Sequence, residues 1–290
     1  MQGDKLIELA SRKPVLCDGA MGTMLQSHGL QAGACPELWN AERPDAIRAI
    51  HTAYIEAGAR VISTNTFGAN RLKLESYEIG RRARDLNVAG VAIARDVAGD
   101  DNFVAASIGP TGKFLAPLGD LTVEQAANIF AEQASAQAEA GADIMLLETF
   151  SDLDEAKVAL KAALKTGLPS FCTMAFATGG RTIMGVSPDT AAVELSDAGA
   201  AGVGANCGLG PADMLDIIRQ MRDSISGIVI AQPNAGLPKM VRGRTVYDCT
   251  PDEMAAYAVR FAQLGINMIG ACCGSTPEHT RAMGAALNAM

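Results

Sequence analysis

Three cysteines stand at points where short apolar runs meet glycine. Cys207 is followed directly by Gly208, and the adjacent pair Cys272 and Cys273 is followed by Gly274. Neighbouring residues of a β-strand point to opposite faces, so two adjacent thiols reach one ion only where the chain leaves the sheet, and glycine favours that departure. The residue types and their positions therefore predict a metal site with three sulfur ligands.

A site of this kind would serve chemistry rather than structure. Zinc that is held by three protein groups keeps a fourth position open for water or substrate, whereas structural zinc sites are closed by four. A substrate thiol in the open position would be deprotonated by the cation, and thiolate is the nucleophilic form of sulfur. Because three anionic sulfurs leave the ion weakly electrophilic, the predicted reaction is alkyl transfer to sulfur.

The alternative interpretation of a single cysteine is a small apolar core residue, because free cysteine is among the most buried residue types. It is disfavoured for the three thiols above, since an adjacent pair makes a poor disulfide and an odd number of cysteines cannot pair fully. It is preferred for Cys17, Cys35, Cys172 and Cys249. The histidines lack ligand spacing to the cysteines and are expected at the surface or at helix ends: His28, His51 and His279.

The elements that position these thiols repeat along the chain. Helical patterns end at an alanine-glycine or leucine-glycine step and turn into an apolar run, as glycine C-caps do. Helices separate most of the apolar runs, and no glycine-rich dinucleotide turn follows the first run, which favours a (β/α)8 TIM barrel over an open doubly wound sheet. The barrel is predicted as a single domain over residues 1–290. Its eight strands are expected at 14–18, 60–64, 103–108, 143–147, 169–175, 202–206, 227–232 and 266–271.

The longest irregular stretches, 19–43 and 233–250, follow the first and seventh predicted strands. In a barrel both lie at the C-terminal face, where active-site loops belong. Polar residues at other strand ends converge on the same face, so a substrate pocket is predicted there. Its residues are expected to be Asp18, Gly19, Ala20, Asn65, Glu148 and Asn206.

Individual pocket residues keep alternative interpretations. A carboxylate such as Glu148 at the end of an apolar strand needs a cation, which is either a substrate amino group or a lysine or arginine of the chain. Asp18 could instead cap the turn before the first helix of the barrel. Asn234 ends the seventh strand, where its weakly binding amide oxygen could complete the zinc shell in the absence of substrate, or where it could simply form a turn.

Composition excludes several classes of partner. The formal net charge of -8 and the pI near 5.0 argue against nucleic acid and anionic membrane surfaces, which attract clustered positive charge. No stretch reaches the roughly 20 apolar residues that span a bilayer, and the polar N-terminus has no signal-peptide core. Together with reduced thiols, these features predict a cytoplasmic protein.

The same residues carry a resemblance to a known family. The chain resembles the homocysteine S-methyltransferases, and most of all the homocysteine-binding module of cobalamin-dependent methionine synthase. The motifs span nearly the whole chain in order: Asp18-Gly-Ala-Met-Gly-Thr23, Thr64-Asn-Thr-Phe67, Ile108-Gly-Pro-Thr-Gly112, Gly180-Arg-Thr182, Asn206-Cys207, Pro233-Asn-Ala-Gly-Leu-Pro238 and Gly270-Ala-Cys-Cys-Gly-Ser-Thr-Pro-Glu-His279.

This resemblance implies a zinc-dependent barrel in which the sulfur of homocysteine becomes the fourth ligand beside Cys207, Cys272 and Cys273. It places the substrate amino group near Asp18 and Glu148, and the carboxylate on backbone amides of the first loop. It also implies that Asn234 is the displaceable ligand. The implied product is methionine, formed when the thiolate attacks an activated methyl group.

The methyl donor is less clearly specified by the motifs. The resemblance favours a methylated corrinoid protein, with its cobalamin, acting in trans. A betaine donor would need an aromatic enclosure, which an aromatic content of 4% offers poorly, and a small sulfonium donor stays open. Two other classes of function stay open: a barrel lyase, disfavoured because no lysine ends a predicted strand, and a noncatalytic zinc- or thiol-binding subunit.

Overall fold

A computed structural model describes residues 2–241 and 244–290. Eight parallel strands form the barrel, and each strand pairs with its neighbours in sequence. The ring is closed because the eighth strand pairs with the first, and Cys17 bridges to Val61 between the first and second. The strands are β1 Val15–Leu16, β2 Val61–Ser63, β3 Phe103–Ile108, β4 Ile144–Phe150, β5 Ser170–Met174, β6 Gly202–Asn206, β7 Ile228–Gln232 and β8 Met268–Ile269.

This arrangement confirms the predicted (β/α)8 barrel. Each predicted run overlaps one strand, and the one strand that continues past its predicted run is β4, which ends at Phe150 instead of residue 147. The extension has a local cause, since Thr149 adopts a left-handed backbone conformation with φ of 64° and the register shifts between Leu147 and Phe150. Glu148 therefore lies within the irregular end of the strand rather than after it.

Helices surround the barrel, and four of them end at the predicted glycines, Gly58, Gly141, Gly199 and Gly265, all with positive φ. Two 3-10 helices, Pro36–Leu38 and Gly80–Arg82, lie in the connections. The α-helices are α1 Gln2–Arg12, α2 Met21–Ser27, α3 Trp39–Glu42, α4 Pro44–Glu56, α5 Arg71–Glu75, α6 Ala83–Ala98, α7 Val123–Glu139, α8 Leu153–Leu164, α9 Pro188–Asp197, α10 Pro211–Ser224, α11 Pro251–Gln263 and α12 Pro277–Asn288.

Alternate residues of the strands pack into two separate hydrophobic cores. Inward residues such as Val15, Phe103 and Ile230 fill the barrel interior, and Leu6 of α1 packs against them. Outward residues such as Ile62 pack against the surrounding helices. Because both strand faces are buried, the strands are apolar throughout rather than alternating. Helix α1 thus closes the N-terminal end of the barrel and leaves the C-terminal end for the site.

Both long segments predicted as irregular lie at that C-terminal end and carry some regular structure. The first contains α2 and α3, and the segment 233–250 contains an antiparallel pair of short strands, Lys239–Val241 and Arg244–Val246. Arg242 and Gly243 of this segment lie outside the described residues. Across the described parts of the chain, every helix is too short or too polar to cross a bilayer.

Candidate metal and substrate site

The three thiols singled out in the sequence meet at the C-terminal end of the barrel. Their sulfur atoms all lie within 4.8 Å of one another, and the sulfurs of Cys207 and Cys273 are 3.8 Å apart. Within residues 2–241 and 244–290, this is the one cluster of at least three Cys, His, Asp or Glu side chains that is close enough to hold a metal ion. The structure therefore brings together all three predicted ligands.

The end of β7 and the segment after it form hydrogen bonds with both of the segments that carry the thiols. β7 lies between β6 and β8, so its C-terminal end separates Cys207 from the adjacent pair. The amide of Cys207 donates to Gln232 (3.1 Å), the amide of Cys272 donates to Pro233 (2.7 Å), and the carbonyl of Cys273 accepts from Ala235 (2.9 Å). These backbone bonds fix the positions of all three Cα atoms, so the cluster is preorganised by the barrel.

Local backbone geometry also favours a functional role for Cys207. Its φ is 57°, in the left-handed region that is uncommon for residues other than glycine. Such conformations cost free energy and are found preferentially at functional sites. At the other thiol-bearing end Gly274 has φ of 84°, and a Cβ there would lie 2.1 Å from Cγ of Tyr247. Glycine is thus required at that position by both conformation and space.

The thiols interact strongly with one another. The pKa of Cys207 is lowered because Cys272 and Cys273 donate hydrogen bonds to its sulfur. The same contacts raise the pKa of Cys272 and of Cys273, which give up those bonds when they ionise. The cluster therefore favours a single thiolate, on Cys207, that accepts hydrogen bonds from the other two thiols. A bound cation would replace those two thiol protons as the partner of the sulfurs.

Asn234 fits both interpretations that its sequence context allowed. Its carbonyl accepts from Gly236 at 2.8 Å, which makes it a turn residue. Its side chain is buried, and its amide contacts the sulfur of Cys207. Among the described residues the side-chain oxygen has no hydrogen-bond partner. A buried amide oxygen without a partner is costly, so this side chain, which contacts Cys207 through its amide, has an oxygen available for a ligand.

A cavity of about 340 Å³ opens beside the thiols. Its volume lies at the small end of the range for small-molecule sites. The cavity is lined by the three thiols together with the predicted residues Asp18, Gly19, Ala20, Asn65 and Glu148. Asn206 and Asn234, which were also predicted, lie outside its lining.

Asp18 is a buried carboxylate held by the neighbouring strand. The amide of Ser63 donates to one carboxylate oxygen at 2.6 Å, and the Ser63 hydroxyl lies 3.1 Å from the other. Helix α2 has no side-chain cap, so the alternative role of Asp18 as a capping residue is not observed. Burial, with a smaller contribution from the nearby Glu148, raises the pKa of Asp18 to about 8 despite these bonds.

Glu148 is the second acid of the cavity. The hydroxyl of Ser107 donates to one carboxylate oxygen, and the amide of Asn206 lies 3.4 Å from the other. Burial raises its pKa to about 7, and no lysine or arginine is among the groups that act on it. The described part of the chain thus offers neither acid a cation, which leaves the substrate as the candidate partner.

Asn206 supports the wall of the cavity without lining it. It is fully buried, accepts hydrogen bonds from the Thr149 amide (2.8 Å) and the Thr173 hydroxyl (2.7 Å), and donates to the Thr149 hydroxyl (2.7 Å). These bonds support the left-handed conformation of Thr149 and thereby the direction of the Glu148 side chain. Its contacts are those of a residue that positions the wall of the cavity.

The first loop is fixed against the last one. The amide of Ala20 donates to the hydroxyl of Ser275 at 3.0 Å, and the hydroxyl of Tyr54 donates to the carbonyl of Ala20 at 3.1 Å. A Cβ at Gly19 would lie 2.5 Å from the Ser275 oxygen, so only glycine allows this approach. The amide of Ala20 is therefore already hydrogen-bonded to a group of the protein.

Several residues of the site were not identified from the sequence. Ser63, Ser107 and Ser275 support the residues that line the cavity, and their partners are far away in the chain. Gln232 lines the cavity, and its buried side-chain oxygen has no partner among the described residues. Tyr247 packs on Gly274 and its hydroxyl contacts Cys273. Only Ser275, inside the Cys-Cys-Gly-Ser motif, had a local sequence signal.

The remaining cysteines and histidines serve other purposes. Cys17, Cys35 and Cys172 are buried as predicted, and burial raises their pKa values, while Cys249 is half-buried. His28 and His279 lie at helix ends. The prediction for His51 was wrong: it is completely buried within α4 because it shares the apolar face of that helix, and burial lowers its pKa to about 4.

Comparisons with known proteins show what the chain is similar to. The profile of a family described as homocysteine S-methyltransferase matches residues 15–287. Methionine synthase of Mycobacterium tuberculosis (strain ATCC 25618 / H37Rv) is 36% identical over 301 residues, which cover 97% of this chain and 25% of that protein. Methionine synthase of Mycobacterium leprae (strain TN) is 35% identical over 303 residues, with the same coverage. The chain spans about a quarter of the length of these curated relatives.

Solved structures show the same fold. The metallated form of the homocysteine methyltransferase MmuM from Escherichia coli superposes with a TM-score of 0.79 over 94% of this chain and 96% of that one, at 21% identity. Its oxidized form superposes with a TM-score of 0.80 over 97% and 99%, at 20% identity. At this level of identity the likeness supports the fold alone.

Proposed function

The chain belongs to the homocysteine S-methyltransferase family, and from that premise we propose that it methylates the sulfur of homocysteine to give methionine, depends on zinc and takes the methyl group from a methylated corrinoid protein. The observation that carries the proposal is the position of three mutually close thiols on the wall of a cavity that also holds two buried carboxylates, to which the described residues offer no cation. We also propose that residues 1–290 form one functional unit.

The donor set fits zinc. Three soft sulfur ligands favour zinc over magnesium or calcium, which prefer oxygen. The side chain of Asn234 contacts Cys207, and its amide oxygen, which has no partner among the described residues, would offer a weak fourth donor that a stronger ligand displaces. We assign Cys207, Cys272 and Cys273 as the ligands, and Asn234 as the ligand that leaves. Zinc in this position would lower the pKa of a substrate thiol, so that the thiol reacts as thiolate near neutral pH.

The two acids would recognise the amino group of homocysteine. An ammonium ion donates up to three hydrogen bonds, and charge-assisted bonds to buried carboxylates are among the strongest polar contacts. Asp18 and Glu148 line the same cavity as the thiols, so one small molecule can contact both groups. The first-loop residues Gly19 and Ala20 and the second-strand residue Asn65 would complete the wall. Asn206 would act indirectly, by holding Thr149 and Glu148.

The reaction needs no general base from the chain. The carbon–sulfur bond forms as the bond between methyl and its donor breaks, the bonding pair stays with the donor, and the thiol proton leaves to solvent. The chain's contribution is to hold the sulfur and the amino group at fixed positions in a largely buried cavity. Methionine, a thioether, is a poorer zinc ligand than a thiolate, which favours release of the product.

The similarity to methionine synthases supports the corrinoid donor. Their sequences match 97% of this chain, while the chain corresponds to only a quarter of each of them. The methyl group would then come from a separate protein or from a different part of a longer one. A small sulfonium or betaine donor is an outcome that the following experiment distinguishes.

The test combines metal analysis with a donor screen. The reduced protein is purified, its zinc is measured, and methionine formation is assayed with homocysteine and methylcobalamin, then with S-methylmethionine, S-adenosylmethionine and betaine. We expect about one zinc per chain, turnover with methylcobalamin, loss of activity on chelation and recovery on zinc addition. Absence of zinc together with no recovery on its addition would contradict the metal assignment. Turnover with a sulfonium or betaine alone would contradict the donor assignment.

A further inference from the structure

The pairing of β2 with β3 stops before it reaches Ser107. Its last paired residues are Ser63 and Ala105, and the amide of Thr64 donates to the carbonyl of Ala105 at 3.0 Å. The amide of Thr66 then donates to the carbonyl of Thr64 at 2.9 Å, within its own segment. A regular parallel ladder would have continued to Ser107. On this side of β3, the amide and the carbonyl of Ser107 therefore need partners from side chains.

Buried threonine hydroxyls of the segment after β2 supply these partners. The Ser107 amide donates to the hydroxyl oxygen of Thr64 at 3.0 Å, and the hydroxyl of Thr66 donates to the Ser107 carbonyl at 2.8 Å. The two threonine hydroxyls lie 2.6 Å apart, and Thr64 is the donor of this pair because the hydrogen of Thr66 is used on Ser107. All three residues are buried, so solvent does not compete for the bonds. Side chains thus hold the backbone of Ser107 in place.

A glutamine from an outer helix joins this network. Gln137 lies on α7 and is fully buried. Its side-chain nitrogen is 3.0 Å from the Ser107 carbonyl oxygen, 3.0 Å from the Thr66 hydroxyl oxygen and 2.9 Å from the side-chain oxygen of Asn87 on α6. The side-chain nitrogen of Asn87 donates to two backbone carbonyls, so its oxygen faces Gln137. Because carbonyl oxygens only accept, the nitrogen of Gln137 is the donor to both.

Stability alone does not explain a glutamine at this position. The side-chain oxygen of Gln137 is buried and has no hydrogen-bond partner among the described residues, which is costly for the folded state. An apolar side chain of similar length would avoid that cost. It would also leave the Ser107 carbonyl with a partner, since Thr66 donates to it. The residue type is therefore better explained by the groups that its nitrogen holds in place.

We propose that Gln137 is a positioning residue for recognition of the substrate amino group, because it holds Ser107 beside Glu148. This inference rests on the proposed function, in which Glu148 accepts a hydrogen bond from that amino group. The hydroxyl of Ser107 donates to Glu148, and its direction follows from the backbone position that Thr64, Thr66 and Gln137 maintain. Gln137 does not line the cavity, so it acts on the substrate through Ser107.

The test removes the glutamine with and without its target. Gln137→Met keeps the length of the side chain and removes its donors, and titration calorimetry of the zinc-loaded protein at pH 6.5 gives the homocysteine affinity. The dissociation constant should rise about two- to fivefold, and no more than in Ser107→Ala, because Thr66 still holds Ser107. Zinc content and kcat at saturating homocysteine should keep their wild-type values. In the Ser107→Ala background, Gln137→Met should have no further effect on affinity, since the hydroxyl that it positions is absent.

Asn267→Leu is the matched control. Asn267 lies at the N-terminal end of the barrel, where its side chain donates to the Ala10 carbonyl at 3.0 Å and accepts from the Val229 amide at 3.0 Å. Its replacement should lower the melting temperature, as Gln137→Met does, and leave homocysteine affinity unchanged. If Gln137→Met does not give a folded, zinc-loaded protein, Thr66→Val is measured instead. It removes another donor to the Ser107 carbonyl, so it should show the same pattern.

The outcomes separate this inference from the proposed function. A wild-type protein that binds no homocysteine would overturn the proposed function and the positioning role with it. Homocysteine binding by the wild type, together with an unchanged dissociation constant in Gln137→Met, would overturn the positioning role alone. The same conclusion would follow from a loss of equal size in the Ser107→Ala background, or from an equal loss in Asn267→Leu, because either result indicates a general effect on packing.

Discussion

The two sides of the cavity differ in the acidic side chains that they carry and in the contacts that hold those side chains in place. On one side, the thiols of Cys207, Cys272 and Cys273 contact mainly one another, and Cys207 has a strained backbone. On the other side, Asp18 and Glu148 are supported by hydrogen bonds from neighbouring strands. Each side gathers acidic groups that have no cation among the described residues. Under the proposed function, two different positive charges would complete the site, a metal ion and the substrate ammonium group.

Ligand chemistry explains why the two sides do not compete for the same cation. Soft thiolates select zinc, whereas buried carboxylates supported by serine hydroxyls suit the ammonium group of an amino acid. Under the proposed function the separation has a mechanistic consequence, since the metal would contact the sulfur of the substrate while the acids would contact its other end. Changes on the sulfur side should therefore abolish metal binding, and changes on the acid side should weaken substrate binding with the metal retained.

The largest effect is expected on the sulfur side. Cys207→Ser should remove most of the bound zinc and lower methionine formation by at least about a thousandfold, because the ion that acidifies the substrate thiol is no longer held. Zinc content by elemental analysis and turnover with methylcobalamin measure the two effects. Cys249→Ser is the matched control, because Cys249 is a half-buried cysteine outside the cluster. A Cys207→Ser protein with full zinc and full activity would contradict the ligand assignment.

The acid side should respond differently. Glu148→Gln keeps the shape of the side chain but removes its charge, so the apparent affinity for homocysteine should fall about 10- to 100-fold while zinc content stays at the wild-type value. Titration calorimetry of the zinc-loaded protein gives the affinity. Glu132→Gln, at an exposed ion pair with Arg71, serves as the control. Unchanged homocysteine affinity in Glu148→Gln would remove this residue from substrate recognition.

The contrast between the two sides also explains how much the sequence could reveal. The thiols and the eight strands were predictable because their signals are local: cysteine beside glycine, and apolar runs after glycine helix ends. Gly19, Ala20, Asn65, Asp18 and Glu148 were placed correctly in one cavity because the C-terminal ends of parallel strands meet there.

The supporting residues were not predictable for a geometric reason. Ser63 meets Asp18 and Ser107 meets Glu148 only through the register of neighbouring strands, and a shift of one residue would turn either hydroxyl away. The hydrogen bond by which Asn206 holds Thr149 forms in the same way only with the left-handed conformation of Thr149 in place. No pattern in a single sequence specifies such a register or such a dihedral angle.

Homocysteine affinity should depend on pH through the acid side. Burial raises the pKa of Asp18 to about 8, so near neutral pH its carboxyl group is largely protonated in the absence of substrate. An ammonium group favours the ionised form and lowers this pKa, so binding releases a proton from Asp18 in addition to the thiol proton of the substrate, and the Asp18 contribution to affinity rises with pH and levels off above about 8. The gain between pH 7 and pH 8.5 should be about eightfold. Calorimetry in buffers of different ionisation enthalpy measures the released proton, and the Asp18→Asn protein is the control. Affinity that falls with pH over this range would contradict the role of Asp18.

The smallest effect tests whether the hydrogen bond from Ser107 to Glu148 contributes to homocysteine affinity. Ser107→Ala removes the hydroxyl that donates to Glu148 and leaves the carboxyl group in place. This hydrogen bond lowers the pKa of Glu148, so its loss should raise that pKa above about 7 and reduce the ionised fraction near neutral pH. Homocysteine affinity should therefore fall about two- to tenfold at pH 6.5, and by less at pH 8.5, where the carboxyl group ionises in both proteins. Ser135→Ala, which removes a comparable hydroxyl from the exposed Glu139, should have no effect at either pH. A loss for Ser107→Ala of equal size at the two pH values would indicate altered packing rather than a change in the ionisation of Glu148.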